Sequence, residues 1–439
     1  MEGDLVLTPY EYYRRHFPFE AVELLATVGG DPLCNREFAI EGAYYKRYLE
    51  ATCAARLRQA VLAMDSLESI HIGPVCTERV SLVRKGLSAP VRREFTVDID
   101  LTDYDFLDLK TRDEEGNEVL DLEACDAAWP FAAIGVFLLR WVLREQFGFE
   151  RFMVVYSGRR GAHLWVLDER ARAATDEVRA AVASAINLEL TRAGQRATER
   201  MREYVDRCEL WDVVEHAFVD LVVEGGHFEN YCNRESFVDR LELKHDGARN
   251  LGEDACHAET PAKAWACIQR VVASIAKQPK QAWVADRLRE TVLAYVWPRI
   301  DFNVSKAVNH LIKCPYVAHP KTKRIAVPID PNDYWNFDPR KAPTLANLGP
   351  DWEGQTDVAR WIARDRPQLP DPGGGVRPGA RRIRRPRAAQ DPSAELVEME
   401  DLAGPSKTRK AKENLRPRSA AFRRKPSPLV PTATIHVTN

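Results

Sequence analysis

The alternation of apolar and polar residues is clearest in "EFTVDIDLTDYD", residues 94–105. Successive side chains of a strand point to opposite faces, so Phe95, Val97 and Ile99 share one face while Asp98 and Asp100 share the other. This stretch therefore predicts a strand whose apolar face packs on a core. Its opposite face presents two carboxylates.

Other short apolar stretches in the first 170 residues predict a mixture of strands and helices. An apolar helix is predicted for "PFAAIGVFLLRWVLREQFG", with Gly148 as its C-cap. The segment "YEYYRRHFPFEAVELLATV" is predicted to be helical, and "NREFAIEGAYYKRYLE" is predicted as a short strand running into a helix. Three more strands are predicted, in "LESIHIGPV", "FMVVY" and "HLWVLD".

The period becomes helical between residues 175 and 296. Val178, Val182, Ile186 and Leu190 repeat every four residues, and acidic residues near the start suit the helix dipole. The fold class predicted is α/β (α+β), a mixed-sheet body with an inserted helical subdomain and a tail. The predicted division is 1–170 and 297–365 for the body, 171–296 for the helical subdomain and 366–439 for the tail.

The tail differs from the body in composition and charge. It is rich in Pro, Gly and Arg, which predicts disorder. Its runs "RRIRRPR" and "KTRKAK" are consistent with a nuclear address, a polyanion-binding tail or simply a solvated tail. From Asp371 onward there are 15 Lys and Arg against 7 Asp and Glu, whereas the whole chain has a net charge of -2. The body is therefore acidic, and a polyanion site on it must be a local patch.

Cysteine usage and hydropathy indicate the compartment. Nine cysteines, an odd number without close pairing in sequence, predict reduced thiols in an intracellular protein. The chain shows no run of about 18 apolar residues and no signal-peptide pattern at its N-terminus, so no membrane association is expected.

The two carboxylates of the predicted strand are the first candidate for chemistry. Side chains at this spacing lie about 5 Å apart and repel by roughly 3 kcal/mol at an effective dielectric near 20. A cation should compensate them, or one should be protonated. Asp98 and Asp100 are thus candidate ligands of Mg²⁺, and of a metal pair in nucleotidyl transfer. The alternative is a solvated strand face with local salt bridges.

The second candidate is "YSGRRGAH", residues 156–163, between two predicted strands. Gly158 and Gly161 allow a tight bend with exposed N–H groups, and arginine can bind phosphate through two hydrogen bonds. The alternative is a basic hairpin without a ligand. The side chains that add donors to this loop are Ser157, Arg159, Arg160 and His163.

The third candidate is "RIDFNVSKAVNHLIKCPYVAHPKTKR", residues 299–324. It contains Asp301 and a predicted helix face formed by Val304, Val308, Leu311 and Ile312. Lys313 would then be either a charge cap at the helix end or a phosphate ligand. His319 lies in a basic run where phosphate contact is plausible, and His310 is a candidate nucleotide contact or an ordinary helix residue.

Taken together, these motifs resemble those of the catalytic small subunit of the archaeal and eukaryotic replicative DNA primase, in the archaeo-eukaryotic primase superfamily. The resemblance rests on "YYRRHFPF", "REFAIEG", "VDIDLTDYD", "FGFERFMVVYSGRRGAHLWV" and "RIDFNVSKAVNHLIKCPYVAHPKTKRIAVPID", which follow the family's order and cover most of residues 10 to 330. It implies a palm-like α/β catalytic domain with a helical subdomain.

The resemblance also implies residue roles. Asp98, Asp100 and Asp301 match metal-binding carboxylates, for two Mg²⁺ or Mn²⁺ ions. Glu37 and Arg47 match active-site residues, with Glu37 counted as catalytic beside Asp98 and Asp100. The residues expected to bind nucleotide are Arg47, Ser157, Gly158, Arg159, Arg160, Gly161, His163, His310, Lys313 and His319.

One departure from the family concerns zinc. The family usually has a zinc knuckle ending in a Cys-x-x-Cys-Trp string, whereas this chain has "CDAAW" there. Cys125 and Trp129 remain, but Ala128 stands where the second cysteine would be. Four-coordinate zinc is therefore not expected in this segment.

The sequence thus predicts a nuclear DNA primase, a DNA-directed RNA polymerase that makes short RNA primers. The expected partners are single-stranded DNA template, NTPs and primer RNA, together with a large primase subunit and the DNA polymerase alpha complex. Two alternatives stay open: a primase-polymerase that extends mainly with dNTPs, and a non-catalytic replication scaffold.

Overall fold

Two antiparallel sheets and the helices around them carry the candidate residues. The computed structural model describes residues 6–191, 194–243, 254–348 and 352, and these belong to one compact unit. The tail predicted from residue 366 onward lies outside the described residues. Every strand pair between described residues is antiparallel. The prediction of mixed α/β structure is confirmed.

The secondary structure elements follow in chain order. The strands are β1 Arg36–Glu41, β2 Lys46–Leu49, β3 Ser69–Cys76, β4 Pro90–Arg92, β5 Phe95–Asp100, β6 Lys110–Arg112, β7 Glu118–Leu120, β8 Phe152–Tyr156, β9 Gly161–Val166, β10 Glu189–Thr191, β11 Gly194–Arg196, β12 Ile312–Lys313 and β13 Pro328–Ile329. The α-helices are α1 Pro9–Arg15, α2 Phe19–Ala26, α3 Ala54–Val61, α4 Leu122–Ala127, α5 Trp129–Phe147, α6 Glu169–Arg172, α7 Asp176–Ile186, α8 Glu199–Arg207, α9 Trp211–Phe218, α10 Tyr231–Arg240, α11 Pro261–Ala276, α12 Trp283–Val296 and α13 Phe302–Lys306. A π-helical turn spans Val219–Val223, and 3-10 turns span Leu33–Asn35, Val80–Lys85, Leu101–Asp103, His227–Glu229 and Pro339–Lys341.

The first sheet joins residues from both ends of the described chain. Its order is β12-β3-β1-β2, and β4 also pairs with β3. In this register Lys313 of β12 lies opposite His71 of β3. This pairing places Lys313 on the same sheet as Glu37 of β1.

The second sheet has the order β13-β8-β9-β5 and contains the predicted acidic strand. Phe95, Val97 and Ile99 are buried, as the alternation predicted, while Asp98 and Asp100 are only partly buried. The strands predicted in "FMVVY" and "HLWVLD" are β8 and β9, and both are buried along their length. The acidic strand is therefore an edge of a sheet whose other face is core.

The long apolar helix α5 packs against this second sheet. It ends at Gly148, which adopts a left-handed conformation with φ 64°, as the C-cap prediction required. The stretch Leu122–Phe147 is long and apolar enough to cross a membrane by length and composition alone. Most of it is buried inside the protein, which is the environment of a core helix.

Residues 176–296 are mainly helical, as the period predicted. Helix α7 begins at the cap Thr175, whose side chain accepts from Val178 N. The later helices meet in an aromatic cluster, in which the ring of Phe218 lies 5.5 Å from Phe237 and 4.9 Å from Trp265. The β10–β11 hairpin interrupts the helices.

Three local predictions are wrong, and in each case strand pairing overrides the apparent helical period. The segment after "REFAIEG" is the strand β2, since Leu49 pairs with Phe38 of β1. Leu190 lies in β10 rather than in a continuation of α7. Helix α13 ends at Lys306, so residues 304–312 do not form one helix face.

The last of these corrections changes the interpretation of Lys313. It is a strand residue of β12, not a helix cap, and the backbone continues as an edge strand because Cys314 N donates to Ile70 O at 2.9 Å. Pairing with the edge of β3 supplies backbone hydrogen bonds to this segment, which stabilise a strand at Lys313 in place of a helix. Lys313 consequently projects from a sheet.

Candidate active site

Three aspartates converge where β5 meets the segment before α13. Ile99 forms an isolated antiparallel bridge with Ile300, and Asp301 N donates to Asp98 O at 3.1 Å. Asp98 and Asp100 lie two residues apart on the same side of β5. The structure thus brings Asp301 close to Asp98 and Asp100, although Asp301 lies 201 residues after Asp100 in the sequence.

The cluster is electrostatically unbalanced. The surrounding protein desolvates Asp98, and the neighbouring charges of Asp100 and Asp301 act in the same direction, so the pKa of Asp98 is raised to about 7. Burial, and then the charges of Asp100 and Asp98, also raise the pKa of Asp103. An excess of negative charge in a partly buried cluster favours binding of a cation.

Asp100 is occupied by protein donors. Arg160 Nε donates to both of its carboxylate oxygens, at 2.7 and 2.9 Å, and Thr102 contributes its N–H at 2.9 Å and its hydroxyl at 2.7 Å. Among the described residues, no three His, Cys, Asp or Glu side chains are arranged as ligands of one ion. Arg160 therefore supplies the positive charge at Asp100.

The chemistry of the acidic cluster nevertheless fits a hard divalent cation. All three candidate ligands are carboxylates, which Mg²⁺ and Mn²⁺ prefer over sulfur or imidazole. The raised pKa of Asp98 shows that the cation Arg160 does not compensate this carboxylate fully. Within the described part of the chain, Oδ2 of Asp100 accepts only from Arg160 Nε, so this oxygen keeps a lone pair for a metal ion.

The loop between β8 and β9 approaches the acidic strand very closely. Leu101 N donates to Arg160 O, and Asp100 lies opposite Gly161 in the β5–β9 register. A Cβ atom at Gly161 would lie 1.9 Å from Ile99 O, so only glycine fits there. Gly158 has φ +85°, a left-handed conformation that also favours glycine. These two glycines place the arginines beside the aspartates.

His319 is held beside the same loop by backbone and hydroxyl contacts. Its Nδ1 accepts from Lys321 N at 3.2 Å, which leaves its proton on Nε2. Thr322 Oγ1 donates to Gly158 O at 2.6 Å and ties the two loops together. Burial, and then Lys313 and the loop arginines, lower the pKa of His319 to about 3. His319 is a neutral donor in a positive surrounding.

Lys313, on the first sheet, and His163, on β9, lie near the acidic strand. Burial, followed by the charge of Lys313, lowers the pKa of His163 to about 3. His163 Nε2 lies 3.6 Å from Asp98 Oδ1, and its Nδ1 has no hydrogen-bond partner among the described residues. Burial lowers the pKa of Lys313, whereas the charge of Asp98 acts to raise it. Lys313 is partly exposed and can contact an anionic ligand, whereas His163 is buried, with 8% of its side chain exposed.

Glu37 and Arg47 form an ion pair on the first sheet. Arg47 Nε and Nη2 donate to the two oxygens of Glu37 at 2.8 and 3.1 Å, and Glu37 is fully buried. The ring of His310 is turned toward its own backbone, with Nδ1 2.7 Å from Leu311 O. The structure brings Glu37 and Arg47 together, whereas among the described residues the His310 ring hydrogen-bonds only to its neighbour in sequence.

The structure adds a clamp behind the loop between β8 and β9 that sequence reasoning missed. Arg324 donates to both oxygens of Asp126 at 2.6 and 2.7 Å, and its Nη1 also lies 3.2 Å from Tyr156 Oη. The Tyr156 hydroxyl in turn donates to Arg159 O at 3.3 Å. Asp126 belongs to the quoted "CDAAW" and Arg324 to "HPKTKR", but nothing in the sequence paired them.

A second set of charges lies behind the acidic strand. Glu94, just before β5, accepts from Arg172 Nε at 3.1 Å and forms an ion pair with Arg36 of β1. Arg172 also donates to Asp31 at 2.8 Å. Arg93 Nη1 donates to His310 O at 2.8 Å. These buried contacts join the two sheets and the segment before β12.

Comparison with known proteins identifies the family of the chain. Residues 97–331 match the family model for the DNA primase small subunit. The DNA primase small subunit of Schizosaccharomyces pombe is 30% identical over 359 residues, covering 78% of this chain and 76% of that protein. The corresponding subunits of Drosophila melanogaster and Saccharomyces cerevisiae are each 30% identical, over 77% and 79% of this chain and 79% and 86% of those proteins.

The matched range includes the acidic strand, the arginine loop and the Lys313 strand. The chain belongs to the DNA primase small subunit family. The family predicted from the motifs is confirmed.

Proposed function

We propose that this chain is the catalytic subunit of a DNA primase and acts as a DNA-directed RNA polymerase. It would join two NTPs on single-stranded DNA template and extend them into a short RNA primer. The observation that carries the proposal is the juxtaposition of an undercompensated carboxylate cluster with a positively charged loop, held 2.7 Å apart at the contact of Asp100 with Arg160. Metal-assisted phosphate chemistry needs both halves.

Asp98, Asp100 and Asp301 would hold two divalent ions, Mg²⁺ or Mn²⁺. When bound, such ions activate the primer 3′-hydroxyl and neutralise the charge of the departing pyrophosphate. The role of the protein is to keep carboxylates partly desolvated and close together, so that cation binding relieves their repulsion. Arg160 would leave Asp100 and bind a phosphate oxygen of the substrate. Its guanidinium would then remain paired with a negative charge.

The triphosphate would be bound by the cations that face the aspartates. Arg159 and Arg160 suit bidentate phosphate contacts, and Lys313 adds a third positive charge. His319, protonated on Nε2, would donate a neutral hydrogen bond to a phosphate oxygen. His163, which the motif adds to the nucleotide-binding set, would act from beside the cluster, since its Nε2 lies 3.6 Å from Asp98 Oδ1. The backbone N–H groups around Ser157, Gly158 and Gly161 would complete the anion site.

Arg47 would be a further nucleotide ligand whose position Glu37 controls. The bidentate ion pair fixes the guanidinium, so Glu37 would act through Arg47 as well as through its charge. His310 is the member of the predicted set with the least support, because its ring contacts only its own loop.

The proposed architecture is a palm-like catalytic domain formed by residues 1–170 and 297–365, with the helical subdomain at 171–296 and a tail at 366–439. We propose no zinc site at Cys125, because "CDAAW" lacks paired thiols. Elemental analysis of the dialysed protein would reveal a stoichiometric zinc ion if this is wrong.

The proposed setting is the nucleus, with a large primase subunit and the DNA polymerase alpha complex as partners. This follows the family assignment to the eukaryotic relatives named above. The rival activities are primase-polymerase synthesis with dNTPs and a non-catalytic scaffold.

A primer-synthesis assay tests the proposal. The purified chain, with single-stranded template and Mg²⁺ or Mn²⁺, is supplied with NTPs or with dNTPs, and products are resolved by length. Short RNA products that vanish in Asp98→Asn and Asp100→Asn are expected. Products made mainly from dNTPs would support the primase-polymerase, and no products under any condition would support the scaffold.

A further inference from the structure

One exposed surface beside the site carries positive charge without compensation. Lys46 of β2 and Arg84 and Lys85 of the 3-10 turn Val80–Lys85 are all exposed. Within the part of the chain that the structure describes, none of the three lies within 4.0 Å of a carboxylate oxygen. Of the nearby acids, Glu50 is paired with Arg79, and Glu41 contacts His71, whose pKa is lowered by burial, so that three positive charges face one acid without a charged partner.

The same surface carries aromatic rings. Tyr44 is 57% exposed and Tyr45 is 53% exposed, which is unusual for residues of this size. The Tyr48 ring is stacked by two guanidinium groups, with Arg47 at 5.1 Å and Arg84 at 5.3 Å from its centroid. We call the residues Tyr44, Tyr45, Lys46, Tyr48, Arg84 and Lys85 the β2 strip.

The β2 strip is continuous with the candidate active site. Arg47, which stacks on Tyr48, is the partner of Glu37. The Tyr45 ring lies 5.9 Å from the ring of His71, and His71 pairs with Lys313 across the first sheet. Single-stranded nucleic acid that extends from the aspartates toward β2 would therefore contact the β2 strip directly.

We propose that the β2 strip binds the single-stranded DNA template beside the active site. The proposal rests on the proposed function, since it assigns the template path of that same site. An acidic body needs a local basic patch for any polyanion, and unpaired Lys and Arg side chains contribute affinity by releasing counterions. Exposed tyrosines stack on bases of any sequence, but only where those bases are not already stacked in a duplex.

Fluorescence anisotropy with labelled oligo-dT at several salt concentrations, and no nucleotide, tests the strip directly. Arg84→Glu/Lys85→Glu should weaken binding and lessen the slope of log affinity against log salt by about 1.4, roughly 0.7 for each phosphate that is no longer neutralised. The matched control is Lys277→Glu/Lys280→Glu, the same charge change at exposed positions after α11. The control should keep most of the affinity.

The aromatic contribution is tested separately. Tyr44→Ala should weaken oligo-dT binding by roughly 5-fold or more, since stacking on one base is removed. Tyr44→Phe keeps the ring and should bind almost as the unaltered chain does. In primer synthesis, both charge reversal and Tyr44→Ala should raise KM for template and leave KM for NTP unchanged.

The outcomes separate this proposal from the proposed function. Unchanged oligo-dT affinity and salt slope in a folded Arg84→Glu/Lys85→Glu protein would overturn the strip while primer synthesis continued. Preference for duplex over single strand would also overturn it. If Arg84→Glu disturbs Arg47 or the fold, Lys85→Glu alone carries the test. Failure of the unaltered chain to make primers would instead end the proposed function, which the binding measurement does not depend on.

Discussion

Glu94 and Asp98 lie four residues apart on one strand segment, yet their electrostatic surroundings are opposite. Glu94 is fully buried, and although burial raises its pKa, Arg36 and Arg172 outweigh that effect and the pKa is lowered. Asp98 keeps 32% of its side chain exposed, and burial together with two neighbouring aspartates raises its pKa to about 7. The charge of Glu94 is compensated by arginines of the protein, whereas the charge of the cluster around Asp98 is not fully compensated.

The difference separates charges that stabilise the fold from charges that serve chemistry. A buried ion pair is tolerated when each oxygen has a donor, and Glu94 meets that condition. A like-charge cluster costs free energy, so its presence at an accessible edge indicates a functional site. Substitutions at either end of the strand test this difference.

The largest effect is expected at the functional end. Asp100→Asn removes a proposed metal ligand, so primer synthesis should fall by roughly 10²- to 10³-fold, the range seen when transition-state charge loses one stabilising group. The variant should still fold, because Asp100 and Arg160 are both partly exposed and such an ion pair contributes little to stability. Melting curves and primer assays together check this. A folded Asp100→Asn protein of near-normal activity would show that the aspartates are not metal ligands.

The next effect is on stability, at the other end. Glu94→Gln leaves Arg36 buried without its counter-charge and removes one of the carboxylates that Arg172 contacts, so the free energy of unfolding should fall by about 3–5 kcal/mol. Urea denaturation measures it. The control is Glu118→Gln in the exposed pair with Lys110, where no measurable change is expected. Equal stability of both variants would mean that Glu94 is no more important than a surface charge.

The clamp behind the loop should give an intermediate effect. Asp126→Ala removes the partner of Arg324, so the backbone at Arg159 loses an indirect support. We expect a loss of about 1–3 kcal/mol in stability and a several-fold rise in KM for NTP, with a smaller change in kcat. Asp126→Glu should recover part of the KM. A loss of stability with KM unaltered would make the clamp purely structural.

A further effect is a pH dependence. Because the pKa of Asp98 in the fold, about 7, exceeds its usual value of 3.8, protonated Asp98 contributes stability that is complete below pH 3.8. That contribution is lost as pH rises through 7 in metal-free buffer. Asp98→Asn should flatten this part of the profile of melting temperature against pH, and Mn²⁺ should oppose the loss at pH 7 to 8. An identical profile in the variant would contradict the assigned pKa.

The sequence identified what depends on local pattern. The strict alternation at residues 95–100 and the apolar helix ending at Gly148 were predicted correctly, because burial on one face and a left-handed C-cap leave local signals. The motif residues Asp98, Asp100 and Arg160 were also found, and the fold brings them together.

What the sequence could not give depends on partners distant in the chain. Lys313 looked like the end of a helix, and only the edge of β3, some 240 residues earlier, makes it a strand residue. The pairing of Asp126 with Arg324 spans 198 residues and has no periodic signature. The pairing of Arg160 with Asp100 corresponds to the alternative of local salt bridges, although the sequence did not identify Arg160 as the partner.

The pairing of β12 with β3, and of β13 with β8, has a consequence for synthesis of the chain. Both sheets are incomplete until residues 312–329 have been made, although β1, β3 and β5 are finished long before. Folding should therefore be slow for a protein of this helix content, because long loops must close before the last strands can pair. Until then the open edges of β3 and β8 resemble sites of aggregation, so a nascent chain arrested before residue 312 should require chaperones that one released after residue 348 does not.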